Sequence, residues 1–411
     1  MLAALSLSAR ESARSSTESA GELRGLWVTR SWMTSPGKVA QVVDDAARHG
    51  ISAIFVQVRG RGDAFYIGGP DPRAVLLASQ PAAFDPLAEL TQRAHQRGLE
   101  VHAWVNVNLV AGATDLPRAP GHVIRAHPEW LMVPRELAPT LLARDPSSIA
   151  YVTSLAAWTR RNLQRVEGLY TSPIPEAAQH HVVAVLSHLA RRYPLDGVHL
   201  DYIRYPGADF DYSRVALDAF RASVVPDLPA ADVARFDARA RREPLIYTNA
   251  FPERWLSFRQ SRLTTLVERV RAAVLAERAG ARITTAVWPD AADAVGRKMQ
   301  DWPGWLRSGL VDAVTPMMYT TSTSTFSRQL TELRPHPAGS VWPGIGVYRI
   351  PATEAARRID AVRAAGFSGI MLFSYDSMTG GVGRPSPYLA SLKRDVFNQP
   401  VNPVSSSSSA H

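Results

Sequence analysis

Residues 35–58 read SPGKVAQVVDDAARHGISAIFVQV, and this stretch sets the pattern for the whole chain. Ser35 suits an N-cap and Pro36 the first helical position, where a missing N–H costs nothing. Val39, Val42, Val43, Ala46 and Ala47 then fall on one side of a 3.6-residue repeat. Gly50 stands where a helix is stopped, and residues 51–58 follow as an apolar run of strand length. A helix feeding directly into a strand is half of a parallel βα unit.

Working outward, the unit recurs. Residues 23–29 form a first strand ahead of it. Asp85-Pro86 opens a helix carrying Leu87, Leu90 and Ala94, Gly98 closes it, and residues 99–107 make a third strand. Pro175 opens a helix with Ala178, Val182, Val185 and Leu189 on one face, and Asp196-Gly197 turns into the fourth strand, 198–202. Further strands are expected at 282–288, 313–319, 341–348 and 369–375, and Ser386-Pro387 caps a last helix with Leu389, Leu392 and Val396. Eight strands, each followed by a candidate helix, make an α/β protein with the count of a (β/α)8 TIM barrel. An open doubly wound sheet is the alternative, but no Gly-rich phosphate turn follows the first strand. Residues 109–171 and 207–256 are long insertions expected after strands three and four. They belong to one domain spanning 22–397 and lie over the face where barrel active sites are built.

Composition narrows the function classes. The chain has 411 residues, 46% of them apolar, 20% charged and none cysteine, which leaves no thiolate metal site, cysteine nucleophile or disulfide scaffold. No stretch approaches the roughly 18 consecutive apolar residues of a membrane span, so no transmembrane segment is expected. The net charge is +9, yet lysine stands only at Lys38, Lys298 and Lys393. The arginines are dispersed along helices, as at Arg160-Arg161 and Arg191-Arg192, which reads as solvated faces rather than a nucleic-acid surface. The eleven histidines are scattered, with no HExxH, so neither a metal site nor a cofactor is expected. Residues 1–21 read as a short export signal or a disordered tail, and 398–411 as a disordered Ser-rich tail.

In a barrel, chemistry sits at the C-terminal ends of strands. Those ends here supply Gln57, Arg59 and Asp63; Trp104 and Asn106; Asp201 and Arg204; Trp288 and Asp290; Tyr319; Tyr348; and Asp376. Aromatic faces stack on sugar rings, and amides and carboxylates bind hydroxyls. Asp201 is the most informative position. Alternation places His199, Asp201 and Ile203 on one strand face, and a carboxylate inside an apolar strand is paired or functional. The structural reading is a salt bridge with Arg204 or Arg59.

Four runs carry a family resemblance: Gly25-Leu26-Trp27, residues 57–66 (QVRGRGDAFY), His102-Ala103-Trp104-Val105-Asn106 and residues 196–206 (DGVHLDYIRYP). With Gln300-Asp301-Trp302, Pro316 to Thr320, Gly344 to Tyr348 and Phe373 to Ser377, they resemble the glycosyl-hydrolase-like family 10 domain over about residues 22–380. The resemblance implies a (β/α)8 barrel and hydrolysis of a polysaccharide. Bacterial relatives include exported, often lipid-anchored enzymes that cleave peptidoglycan glycan strands. An extracytoplasmic location is therefore expected, although without cysteine no lipid anchor is.

Glycoside hydrolysis usually employs two carboxyl groups, one an acid and the other a nucleophile or base. Asp201 is expected as the first, held ionised by Arg204 or Arg59 and so favoured as nucleophile or stabilising anion. Asp290, which Trp288 and Pro289 would desolvate, and Asp376 are the candidates for the second. Asp290 is equally suited to cap the helix after it. Asp63 is a further alternative with a loop-ordering reading, while Asp211 and Glu253 fall in the insertion, outside the strand frame. Gln57, Arg59, Asp63, Trp104, Asn106, Arg204, Trp288, Tyr319 and Tyr348 are the candidates for holding sugar. The competing expectation is a barrel that binds carbohydrate without cleaving it.

Overall fold

The computed structural model describes residues 21–398. The expectations for residues 1–20 and 399–411 lie outside the described residues. Strands β1 (Leu23–Val28), β2 (Ala53–Arg59), β3 (Glu100–Asn106), β4 (Leu109–Ala111), β5 (Leu169–Tyr170), β6 (Gly197–Asp201), β7 (Arg282–Val287), β8 (Ala313–Met318), β9 (Gly344–Gly346) and β10 (Gly369–Phe373) follow in chain order. Eight of them close a parallel barrel in the order β1-β10-β9-β8-β7-β6-β3-β2, and β4 and β5 form a separate antiparallel pair above it.

The founding unit folds as its residues dictate. Ser35 accepts a hydrogen bond from the Lys38 amide at the start of the helix Pro36–Arg48. Val39, Val42, Val43 and Ala46 are buried against the barrel wall, each valine contributing about 1.5–3 kcal/mol over an exposed one. Gly50 then takes φ +77, a left-handed value that an L side chain resists. The same device recurs at Asp85, which caps Pro86–His95, and at Ser386, which caps Pro387–Leu392.

The interior of the barrel is filled by Trp27, Phe55, Trp104, Trp342 and Met371. His199 lies among them, its Nε2 accepting from the Trp27 indole at 3.1 Å and its Nδ1–H donating to the Thr284 hydroxyl oxygen at 2.9 Å. Burial holds its imidazole well below the usual pKa, so it is neutral, with its proton on Nδ1 toward Thr284. A second apolar cluster belongs to the chain between β3 and β6 and between β6 and β7, with Trp130, Tyr151, Leu155, Phe220 and Trp255 at its centre. Helix Pro252–Glu277 runs out of this cluster as one 26-residue element and packs along the barrel, so residues 252–256, expected in an insertion, are its first turn. The seventh barrel strand is also shorter than expected. It ends at Gly346, and a 3-10 turn over Val347–Arg349 carries Tyr348 outward, where it is 45% exposed.

Candidate active site

The C-terminal ends of the barrel strands surround a cavity of about 180 Å³. Strand alternation decides what faces it. Trp27 and Thr29, Trp104 and Asn106, and His199 and Asp201 are i, i+2 pairs, the first of each lying deeper and the second at the mouth. The wall is completed by Arg30, Gln57, Arg61, Tyr202, Ala286, Met317, Tyr319 and Phe373. Tyr319 stacks on Phe373 with ring centroids 5.0 Å apart, and Trp27 meets Phe373 edge-on at 5.8 Å. The result is a flat aromatic side facing a polar one, where the Gln57 amide donates to Asn106 Oδ1 (3.3 Å) and Asn106 donates to the Gly60 carbonyl (2.9 Å).

Asp201 ends β6 on this wall and is only 6% exposed. Its Oδ2 accepts from the Trp104 indole N–H at 3.1 Å, and its Oδ1 from the Tyr202 amide at 2.6 Å. Tyr202 reaches that position with φ +51, an uncommon conformation for a bulky residue. The expected salt bridge is absent. Arg59 turns away and pairs with buried Asp71 (2.7 Å), while Arg204 pairs with Glu167 (3.1 Å) and lies 4.5 Å over the Tyr202 ring. Burial therefore outweighs the more distant Arg204 charge and the two neutral donors, and the Asp201 carboxyl is pushed up to about 6. The expected ionised anion is replaced by an acid that keeps its proton into mildly acidic solution. The physical reason is that both arginines are satisfied by other carboxylates.

Of the other residues read from the sequence, Gln57, Trp104, Asn106 and Tyr319 line the cavity with Asp201. Asp376 stands behind its rim, accepting from Thr29 Oγ1 (2.5 Å) and Ser31 Oγ (2.6 Å) at the start of a short helix. Asp290 caps the helix Ala291–Lys298 by accepting from the Asp293 amide at 2.8 Å, and it borders a different depression with Trp302 and His336. Asp63 accepts from the Arg61 amide at 2.8 Å and orders the loop after β2. Trp288 packs under Lys298, whose ammonium lies 5.0 Å from the ring. Arg59, Asp63, Arg204, Trp288, Asp290, Tyr348 and Asp376 are not among the residues lining the cavity with Asp201. Among the described residues, Asp201 is the one carboxylate on the cavity wall, and no group of three or more His, Asp or Glu could hold a metal ion.

Sequence reasoning placed Arg30 and Met317 at strand ends without choosing them as site residues, and it missed Trp27, Thr29, Arg61, Tyr202 and Phe373 as wall residues. Phe373 was legible as the last residue of β10, and Trp27 as the residue two before Thr29 on the same strand face. Arg61 and Tyr202 were not, because loop geometry brings them in.

Residues 22–348 match the family model described as glycosyl hydrolase-like 10. The chain is 27% identical over 224 residues to glycosyl hydrolase YngK of Bacillus subtilis, a match covering 48% of this chain and 38% of that protein. It is 29% identical over 216 residues to glycosyl hydrolase DigH of Escherichia coli, covering 46% and 44%. The aligned region thus spans less than half the length of either relative. Among solved structures, the PgaB (BpsB) glycoside hydrolase domain of Bordetella bronchiseptica superposes with a TM-score of 0.62 at 15% identity, covering 91% of this chain and 98% of that one. The catalytic domain of a Paenibacillus polymyxa beta-amylase superposes with 0.57 at 12%, covering 93% and 100%. Both share the barrel fold.

Proposed function

Since the chain belongs to the glycosyl hydrolase-like 10 family, we propose that it is a glycoside hydrolase acting outside the cytoplasm on peptidoglycan glycan strands. The reading rests on one observation: a buried carboxyl, pushed up to about 6, at the end of β6 on the wall of an aromatic, amide-lined cavity. Asp201 is the general acid. Its proton passes to the glycosidic oxygen as the bond from that oxygen to the anomeric carbon breaks. The Trp27, Tyr319 and Phe373 rings give the sugar an apolar face, and Gln57, Asn106 and Tyr319 offer polar atoms to its hydroxyl and acetamido groups.

Two sources remain for the second half of the reaction. Peptidoglycan sugars carry a 2-acetamido group, whose carbonyl oxygen can bond to the anomeric carbon as the leaving group departs. Water then opens the ring so formed and returns a proton to Asp201, with net retention. The single carboxylate on the wall favours this route. Asp376, joined to the wall through Thr29, is the alternative, acting as a base on water with inversion. The lone wall carboxylate is also what a non-catalytic carbohydrate-binding barrel would show. Peptide-stripped peptidoglycan strands incubated with the wild type, Asp201→Asn and Asp376→Asn resolve all three, with new reducing ends counted and the first-formed anomer read by NMR. New reducing ends with retention, lost in Asp201→Asn, support the acetamide route. Inversion lost in both variants assigns Asp376. No new ends from the wild type, or full activity in Asp201→Asn, overturns the enzymatic reading.

A further inference from the structure

Two cations share the wall with Asp201. Arg30 follows β1 and Arg61 follows β2, and both line the cavity. Among the described residues neither guanidinium forms a salt bridge, in a chain where Arg59, Arg204, Arg221 and Arg363 each have a carboxylate partner. The Arg30 guanidinium has only long hydrogen-bonding contact, 3.5 Å from Gln57 Oε1. Its place is nonetheless built. A Cβ on Gly60 would stand 2.2 Å from Arg30 Nη1, so the guanidinium lies across a backbone stripped of its side chain to admit it. Burial lowers the Arg30 pKa, and of the charges nearby Asp63 raises it more than Arg61 lowers it. Below about pH 6, where Asp201 keeps its proton, the residues lining the cavity carry two positive charges and no negative one. Two cavity-wall guanidiniums that no carboxylate bonds directly keep their N–H donors available to an anion that enters the cavity.

We propose that Arg30 and Arg61 form a carboxylate-binding subsite, and that the glycan taken by this cavity bears a free acid on a sugar next to the scissile bond. The inference rests on the glycosidase reading and specifies its substrate. A planar guanidinium pairs with a carboxylate through two parallel hydrogen bonds, and two guanidiniums beside an acetamido-sugar pocket suit a hexosamine whose acid is unmasked. The acid is either an ether-linked lactyl group, as on muramic acid freed of its peptide, or the ring carboxylate of a uronic acid.

The test uses the full chain and three probes: peptide-stripped peptidoglycan strands, the same strands with their carboxylates amidated, and a polymer alternating uronic acid with N-acetylhexosamine. The expected result is a preference of roughly thirty-fold or more in kcat/KM for free-acid over amidated strands, carried mainly by KM. That ratio falls toward one in Arg61→Met, whose side chain has no partner to lose on folding, and is partly kept in Arg30→Lys. Cleavage of the uronate polymer with the same loss on amidation assigns the acid to the ring, and its absence assigns it to the ether. Equal rates on free and amidated strands, or an unchanged ratio in Arg61→Met, overturn the subsite. If the wild type cleaves nothing, the same comparison made by calorimetric binding still decides it. Free-acid strands that bind more tightly in an Arg61-dependent way uphold the subsite while the catalytic reading fails, and equal binding overturns it.

Discussion

Asp71 and Asp201 are both buried near the C-terminal end of the barrel, at 6% exposure each, yet their chemistry is opposite. Asp71 accepts from Arg59 at 2.7 Å and from His181 at 3.0 Å, and the Arg59 charge with these bonds holds its carboxyl well below the usual range in spite of burial. Asp201 has a tryptophan indole and a backbone amide instead, and burial pushes it up to about 6. Burial alone therefore does not set the state of a carboxyl. Formal charge among its hydrogen-bond partners does, and the barrel keeps one aspartate as structure and the other as acid.

The largest test of this contrast is to remove the acid. Asp201→Asn is expected to lower kcat by roughly 10²–10⁴-fold, measured as reducing ends released, while Asp71→Asn on the same assay acts only through stability. Next, Arg59→Met strands Asp71 with His181 alone, and an uncompensated buried charge costs about 3–5 kcal/mol. Urea denaturation at pH 7 reads that loss, and an unchanged midpoint would dissolve the comparison.

The third test is linkage. The folded chain holds the Asp201 proton to about pH 6 while an unfolded aspartate releases it near 3.8. Between those values the folded state binds more protons, so stability falls as pH rises, and the penalty is complete above pH 6. Removing this group makes Asp201→Asn gain on the wild type by at most roughly 3 kcal/mol from pH 4 to pH 7. The gain is trimmed because an amide accepts at one oxygen where the carboxyl accepted at two. Denaturant midpoints across that range measure it. The smallest effect belongs to Trp104→Phe. Its indole lowers the Asp201 pKa, so its removal moves the upper limb of the kcat/KM profile to higher pH, by roughly one unit or less.

The barrel was legible because each βα unit carries its own punctuation. Ser35, Asp85 and Ser386 cap, Pro36, Pro86 and Pro387 follow, and the apolar stripes need no distant partner to be recognised. Asp201, Trp104, Asn106 and Gln57 were legible for a related reason, since strand periodicity fixes which side chains reach the mouth. Arg59 and Arg204 were misjudged because sequence proximity says nothing of competition. Asp71 and Glu167, 12 and 37 residues away, claim those guanidiniums through loops that periodicity does not describe. Asp290 shows the same limit in reverse, its capping role and its strand-end position being equally visible until the helix is seen to use it.

The turn from Asp201 to Tyr202 has one more consequence. By folding Tyr202 back into a left-handed conformation, the chain supplies its own amide to Asp201 Oδ1 while Trp104 takes Oδ2, so the carboxyl group is clamped at both oxygens before any sugar arrives. The loss of rotational entropy is thus charged to chain collapse rather than to the encounter with substrate, and the proton donor meets each glycan already aimed.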